Sequence, residues 1–399
     1  MVKKQPPGNP ARNLRGSPRP GQQQQQQQQQ HQHQHPPASL FTERLSLATQ
    51  QRTLDLFAAT FQDVLTSPAF GTTLQAIKKA LFERAFARAF QQPEFLSVYA
   101  ARWSPTRALC YAAVLFGIDP FLARILYEAP IPASPEMDMM PSQEDTRATA
   151  LRVVCVGGGA AELVALGAVL HEGNAGAAKG AGAVSLGRGA PLQVDVTLAD
   201  SGPWAQIVAQ LASALVTEPP LSKYASEAVC AANQPMIVPS LLSTEFVQQD
   251  ILDLDPTGLA SILQGKAGAA SPPMLITLLF TLNELFTSSG IGKTTTFLLN
   301  LTSVVPLGSL LLVVDSPGSY SETVVGKQAK KYPMHWLLEK ILSETHQAPV
   351  EGRWWTKLVS DDGVWFRLAE TLRYPIPLEN MRYQVHLYRA DDATTVSTV

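Results

Sequence analysis

The 399-residue sequence is poor in the residues that usually advertise a chemistry. It holds three cysteines, Cys110, Cys155 and Cys230, far apart in the chain. So sparse and odd a count argues against a disulfide framework and against a cysteine-rich metal site, and it fits a reducing compartment. Charge of one sign is also lacking. The formal net charge is -2, so no global basic field draws in nucleic acid, and any grip on RNA must come from local patches. Long apolar runs are missing too. The most apolar stretch, residues 297–314, is interrupted by Asn300, Pro306 and Gly308, which predicts a helix end, a turn and a buried strand in place of a membrane span. The N-terminus carries no apolar segment of the secretory kind. No membrane association and no metal are expected. What is present is a 45 % hydrophobic composition, enough for a sizeable core and, at this length, for about two or three domains.

The composition shifts along the chain. Residues 1–38 hold a nine-glutamine run, Gln22 to Gln30, followed by alternating His31, His33 and His35. Such a tail cannot bury enough apolar surface to offset its ordering and is expected to be disordered. Lys3, Lys4, Arg12, Arg15 and Arg19 precede the tract with no acidic residue among them. That composition suits a nuclear-import or RNA-tethering tail, or a solvated tail with no role. Residues 39–132 read as a helical domain, with Leu54, Phe57, Phe61 and Leu65 at helical spacing and Pro68 and Pro93 as punctuation. Pro135 and Pro141 mark a linker over 133–149.

From residue 150 to about 391, short β-branched runs alternate with helical stretches. The runs are 152–156, 194–198, 236–239, 274–280, 310–314 and 383–388. This alternation predicts an α/β, doubly wound, mostly parallel sheet with helices on both faces. The Gly/Ala-rich stretch 172–190 reads as a disordered insert between the first helix and the second strand, and 392–399 as a flexible end.

One turn in that pattern carries the chemistry. In Leu151-Arg-Val-Val-Cys-Val-Gly-Gly-Gly-Ala-Ala-Glu-Leu163 an apolar strand runs into Gly157, Gly158 and Gly159 and then into a helix. Glycines there let a ligand approach the backbone, and a helix N-terminus offers N–H donors to a carboxylate or phosphate. Asp200 closes the second run, where a carboxylate can accept both ribose hydroxyls of a nucleoside cofactor. Asp250 follows the third run and can accept a hydrogen bond from an adenine amino group.

Two nucleotide-binding alternatives fit less well. A dinucleotide fold calls for G-x-G-x-x-G with a small sixth residue, yet Glu162 stands at that position. Thr287-Ser-Ser-Gly-Ile-Gly-Lys-Thr294 is similar to an NTPase phosphate loop, but Thr287 replaces its first glycine. Residues 281–286 also separate it from the preceding apolar run, whereas a phosphate loop follows its strand directly. The chain closes on an expected antiparallel hairpin, Trp365-Phe-Arg-Leu followed by residues 378–388. A parallel sheet with such a terminal hairpin resembles class I methyltransferases.

The closer resemblance is to the fungal large-subunit (25S) rRNA uridine-N3-methyltransferases. It is carried by Thr281-Leu-Asn-Glu-Leu-Phe286, by Leu311-Leu-Val-Val-Asp-Ser-Pro-Gly-Ser-Tyr-Ser-Glu322, by residues 378–389 and by Tyr99-Ala-Ala-Arg-Trp-Ser-Pro-Thr-Arg-Ala-Leu-Cys-Tyr111. It spans about residues 45–390. It implies a Rossmann-like methyltransferase fold, S-adenosyl-L-methionine as cofactor, methylation of large-subunit rRNA or of a pre-ribosomal particle, and a place in the nucleolus of the nucleus. By the class pattern, Gly157 and Gly159 would face the methionine end of the cofactor. A methyltransferase with a non-RNA substrate, and an inactive assembly factor that keeps the fold, stay open.

Uracil N3 must lose a proton before it attacks a methyl carbon. Glu284 is the candidate base and Asn283 the candidate partner of a uracil carbonyl, the alternative for Glu284 being that it caps or packs its helix. RNA contacts are expected from Lys327, Lys330 and Lys331 with Tyr332, from Arg353 beside Trp354 and Trp355 with Trp365 and Arg367, and from Arg102 and Arg107 beside Trp103.

Overall fold

Strands rich in Val, Leu and Ile at residues 149–156 and 275–279 lie side by side at the centre of a parallel sheet, and the chain winds outward from them in both directions. The computed structural model describes residues 45–127, 149–178, 192–221, 223–264, 272–318, 320–325 and 328–393. The glutamine tract, the proline-marked linker up to residue 148 and the last six residues lie outside them.

The seven-stranded sheet has the order β3-β2-β1-β4-β5-β9-β8. Its strands are β1 (Thr149–Val156), β2 (Leu192–Asp200), β3 (Leu242–Gln248), β4 (Leu275–Leu279), β5 (Leu310–Asp315), β8 (Arg353–Phe366) and β9 (Met381–Asp392). The first five run parallel, with Val153 opposite both Val196 and Leu275. β9 pairs antiparallel with β5, placing His386 opposite Val313, and β8 pairs antiparallel with β9. β4 and β5 are buried along their whole length, as expected for strands covered on both faces. The two remaining strands, β6 (Tyr320–Val325) and β7 (Gln328–Pro333), form a separate antiparallel ribbon. The strand order reverses between β1 and β4, and in an open α/β sheet ligands bind beyond the carboxyl ends of the strands at that reversal.

Three expectations are corrected. The run 236–239 is not a strand; the third strand lies a few residues later, at β3, on the open edge of the sheet. The helix after β1, α8 (Ala160–Ala178), continues into the stretch read as an insert, since alanines sustain helix despite the glycines. The N-terminal helices are not a separate domain either, because residues 43–399 form a single unit.

Those helices are α1 (Leu47–Thr60), α2 (Gln62–Thr66), α3 (Phe70–Phe82), α4 (Phe86–Phe90), α5 (Pro93–Arg102), α6 (Ser104–Gly117) and α7 (Asp119–Tyr127). Pro93 and Pro105 sit in the first turns of α5 and α6, where a missing N–H costs nothing. α6 packs on α8, and every residue of α6 is buried except Arg107. A helix that is apolar all round belongs in a core, so its one incompletely covered residue marks an opening. No single helix among the described residues is long and apolar enough to cross a membrane; the bent pair of α6 and α7 passes on length and composition alone, and α6 is core.

Between β2 and β4 lie α9 (Ala205–Val216), α10 (Glu227–Ala232) and α11 (Pro256–Gln264). On the other face, α12 (Leu282–Ser288), α13 (Gly290–Val304) and α14 (Met334–Gln347) pack over β4, β5 and β8 through Phe286, Phe297, Leu338 and Trp355. Each such side chain contributes about 1.5–3 kcal/mol by leaving water. The Trp355 indole N–H donates to Thr302 Oγ1 at 2.8 Å, so burial leaves no orphan donor there. Residues 287–294, the phosphate-loop look-alike, span the junction of α12 and α13. Gly292, Lys293 and Thr294 are helical there and no strand precedes them directly, so the NTPase alternative lapses.

Candidate active site

The loops after β1 and β4 meet at the sheet's reversal point. Gly157 has φ 68°, a conformation that favours glycine. A Cβ on it would lie 2.4 Å from Thr281 Oγ1, so the close approach of the two loops also requires glycine. The Gly157 N–H donates to Ala199 O at 2.8 Å, tying the turn to the end of β2. On the β4 side Phe280 has φ 58°. A bulky residue rarely adopts that conformation, and strain of this kind concentrates at functional sites.

These loops floor a cleft whose walls come from both halves of the chain. The sheet side supplies Gly157, Gly159, Glu162, Asp200, Trp204 and Glu284. The helical side supplies Phe90, Tyr99, Arg107 and Tyr111. Tyr99 packs edge-on against Phe90 at 5.0 Å and Trp204 at 6.0 Å between ring centres, so the helices close over the sheet with aromatic side chains.

Acids dominate the polar lining. Glu162, in the first turn of α8, accepts the Gly159 N–H at 2.9 Å, half of the reciprocal cap that a third-position glutamate makes. Burial pushes its carboxyl up to about 7, against the pull of that N–H and of Arg107. Asp200 accepts the Gly202 N–H at 2.6 Å, and burial raises it to about 6. Asp315, at the end of β5 and outside the cleft lining, accepts the N–H groups of Asn283 at 3.0 Å and Ser316 at 2.7 Å, and burial raises it to about 6. Glu284 is pushed up to about 8, by burial first, with Arg107 opposing and the charges of Asp315 and Asp200 assisting.

Arg107 is the counter-charge to this group. Burial works against its charge, but Tyr99, Tyr111, Glu284 and Glu162 outweigh that and hold it as a cation. Its guanidinium donates to Tyr99 Oη and lies 4.9 Å from the Phe280 ring centre. Both Arg107 and Glu284 are surrounded by protein yet keep partial contact with solvent through the cleft.

The sequence-selected residues divide accordingly. Gly157, Gly159, Asp200, Glu284 and Arg107 meet in the cleft. Gly158 packs beneath it, where a Cβ would lie 2.4 Å from Cys155 Cβ. The N–H groups of Gly157 and Gly159 already have protein acceptors, so they do not form an open cradle. Asp250 is exposed and accepts the Leu252 N–H at 3.0 Å, capping a short 3-10 turn outside the cleft lining, although its charge is felt at Asp200. Asn283 does not line the cleft. It follows Leu282 at the start of α12, and successive helical residues point about 100° apart, so Glu284 faces the cleft and Asn283 does not; Asn283 gives its backbone N–H to Asp315.

The expected RNA cations also part company. Arg353 donates to Val305 O at 2.8 Å and Ser303 O at 3.0 Å, which caps the end of α13, and to Glu351 O at 3.1 Å. Trp355 is core, whereas Trp365 is 54 % exposed. Arg102 is buried in an ion pair with Glu379 at 2.5 Å. Lys330 and Lys331 lie on the β6–β7 ribbon opposite Thr323 and Glu322, and Lys327 falls outside the described residues. Glu162 was legible only as a departure from the dinucleotide pattern, and Asp315 only as part of the motif at residues 311–322.

A parallel sheet with a reversed strand order, an added antiparallel pair and a glycine turn at the reversal defines a nucleoside-cofactor enzyme of the methyltransferase class. The family model Methyltransf_34, of SAM-dependent methyltransferases, matches residues 57–389, and the chain belongs to that family. It is 30 % identical over 363 residues to the 25S rRNA (uridine(2843)-N(3))-methyltransferase of Saccharomyces cerevisiae, covering 88 % of each chain. Among solved structures it is similar to the plantazolicin methyltransferase BpumL in complex with SAH, at 12 % identity, covering 80 % of this chain and 99 % of that one with a TM-score of 0.34. An O-methyltransferase family protein from Burkholderia thailandensis matches at 12 % identity, covering 82 % and 74 %, with a TM-score of 0.31. Both likenesses are too distant to add to the family assignment.

The protein is thus a methyltransferase that uses S-adenosyl-L-methionine, and its residues fit that cofactor. The glycine at 157 lets the β1 and β4 loops close into one floor, Asp200 lines the cleft at the end of β2, and the acid-rich lining suits a sulfonium cation. Among the described residues no group of three or more His, Cys, Asp or Glu is arranged to hold a metal ion.

Proposed function

We propose that this methyltransferase modifies N3 of a uridine in large-subunit rRNA, acting on rRNA or a pre-ribosomal particle in the nucleolus. The printed activity of the yeast relative, at 30 % identity along 88 % of the chain, supports the substrate class. The observation that carries the chemistry is Glu284, a carboxyl raised to about 8 at the mouth of the β4 loop.

An imide nitrogen attacks poorly while it holds its proton. A carboxylate whose conjugate acid titrates near the working pH is the effective acceptor for that proton. Bound in the cleft, S-adenosylmethionine supplies a methyl carbon already activated by its sulfonium. The protein's own work is alignment, exclusion of water and removal of the proton. Gly157 and Thr281 set the floor, Asp200 holds the ribose end, and Tyr99, Phe90 and Trp204 exclude water. Asp315 holds the first turn of α12 by its hydrogen bond to the Asn283 N–H and so positions Glu284. Glu284 takes the N3 proton, and Arg107 offsets the negative charge that develops on the imide.

Comparing rRNA nucleosides from cells with and without the gene tests this reading. Loss of one N3-methyluridine, restored by the wild-type chain, is the expected result. An unchanged N3-methyluridine content contradicts it.

A further inference from the structure

A second cleft adjoins the first and shares Arg107 and Phe280 with it. Trp103, Thr106, Asn380 and Arg382 line it too, beside the Arg102–Glu379 ion pair. Nothing in the cofactor's chemistry calls for this space.

Thr106 shows what the space is built for. It is 5 % exposed, and its hydroxyl has no hydrogen-bond partner. Buried polar groups are nearly always satisfied within the protein or by something bound to it. Other helical threonines in this chain bond back to the carbonyl four residues earlier, as Thr53 does to Thr49 O and Thr302 to Leu298 O, both within 2.8 Å. Thr106, in the first turn of α6, does not, and the residue lines the second cleft. A hydroxyl both donates and accepts, Arg107 only donates, and Trp103 and Phe280 offer flat faces. Together they match a planar ring with a carbonyl acceptor on its edge, which uracil presents on either side of N3.

The rim continues the pattern onto the surface. Trp365 pairs across the β8–β9 ladder with Arg382. The guanidinium groups of Arg367 and Arg382 lie 5.1 Å and 5.9 Å from its ring centre. An exposed aromatic flanked by cations is the usual platform for an unstacked nucleotide.

We propose that the second cleft is the acceptor subsite. It receives a uracil turned out of the RNA, as enzymes that act on a base require. Thr106 and Arg107 donate to a uracil carbonyl and leave N3 free for Glu284 and the methyl carbon, and Trp365 with Arg367 and Arg382 holds the adjoining nucleotide. The inference rests on the uridine-N3 reading and adds where the base sits and which residues select it.

The full-length protein and unmethylated large-subunit rRNA fragments provide the test. Thr106→Val keeps side-chain volume and removes the hydroxyl. It is expected to leave S-adenosylhomocysteine affinity and melting temperature unchanged while lowering kcat/KM for RNA about tenfold, the effect of one buried hydrogen bond. Trp365→Ala, on the surface, is expected to weaken RNA binding about ten- to a hundredfold, the worth of one stacked base. A 5-iodouridine at the modified position is expected to crosslink to peptides carrying Trp103 or Phe280. If wild-type protein methylates uridine N3 while both variants behave as wild type, or the crosslink maps elsewhere, the subsite is wrong and the functional reading stands. If wild-type protein makes no N3-methyluridine, the functional reading fails and the subsite fails with it.

Discussion

Gly157 and Thr281 approach so closely that a side chain on the glycine would overlap the threonine hydroxyl, and this contact locks the β1 and β4 loops into one floor. The contact is long-range in sequence and sits where the strand order reverses. Gly157→Ala therefore costs ~1–2 kcal/mol from the left-handed backbone alone and also displaces Thr281 and the neighbouring Phe280. Chemical denaturation should show the stability loss and calorimetry a weakened affinity for S-adenosylhomocysteine. Unchanged cofactor affinity in a folded variant would separate the glycine from the site.

Removing the proposed base should leave the reactants bound and the chemistry slow. Glu284→Gln is expected to lower kcat by about 10²–10⁴, with RNA and S-adenosylhomocysteine affinities intact. Because Glu284 acts as a base only when ionised, wild-type kcat/KM should rise with pH and level off above about 8. Single-turnover rates across that range provide the check; a flat profile would assign the proton to another acceptor.

Stability should move the opposite way with pH. Glu162 and Glu284 are held protonated up to about 7 and 8, against an ordinary value of 4.5. Above 4.5 the unfolded chain has released these protons and the folded chain has not, so stability falls as pH rises toward the folded values. His171 and His386 are lowered from 6.5 and oppose this trend only below that value. Between pH 6.5 and about 8 the cofactor-free protein should lose melting temperature, and Glu284→Gln should flatten the slope. A slope identical in the variant would remove Glu284 from the buried acid group.

The cations of the two RNA candidates should behave differently. Arg353→Ala removes two bonds to carbonyl oxygens at the end of α13 and one to Glu351 O and should cost about 1–3 kcal/mol of stability without changing RNA affinity. Lys330→Glu with Lys331→Glu, on the β6–β7 ribbon, should leave stability unchanged. That pair should weaken RNA binding and flatten its salt dependence by about 0.7 per lost phosphate contact. Fluorescence titrations at several salt concentrations distinguish the two.

The parts of the fold legible in the sequence were those with a strong local signal. β1, β2, β4, β5 and β9 announce themselves as buried β-branched runs because both faces are covered. β3 does not. Its residues, Leu242-Ser-Thr-Glu-Phe-Val-Gln248, are mostly half-buried on the sheet edge, so the more apolar residues 236–239 drew the reading instead. β8 is interrupted by Asp361-Asp362-Gly363, where its register with β9 shifts, which hid all but its last residues. The site was half legible for the same reason. The glycine turn, Asp200 and Glu284 lie at strand ends that topology brings together. Arg107 was readable as a cation for RNA, but its seat between Tyr99, Phe280 and Glu284 depends on how α6 packs on α8, which no local pattern encodes. Asn283 and Glu284 were indistinguishable until the direction of α12 assigned one of them to the cleft.

The central claim is that this cleft methylates uracil N3. Purified protein incubated with S-adenosylmethionine and unmethylated large-subunit rRNA, followed by mass spectrometry of the digested nucleosides, tests it directly. N3-methyluridine accumulating with wild-type protein and not with Glu284→Gln is the predicted result. A methyl group found on another base, on a protein, or not transferred at all would contradict it.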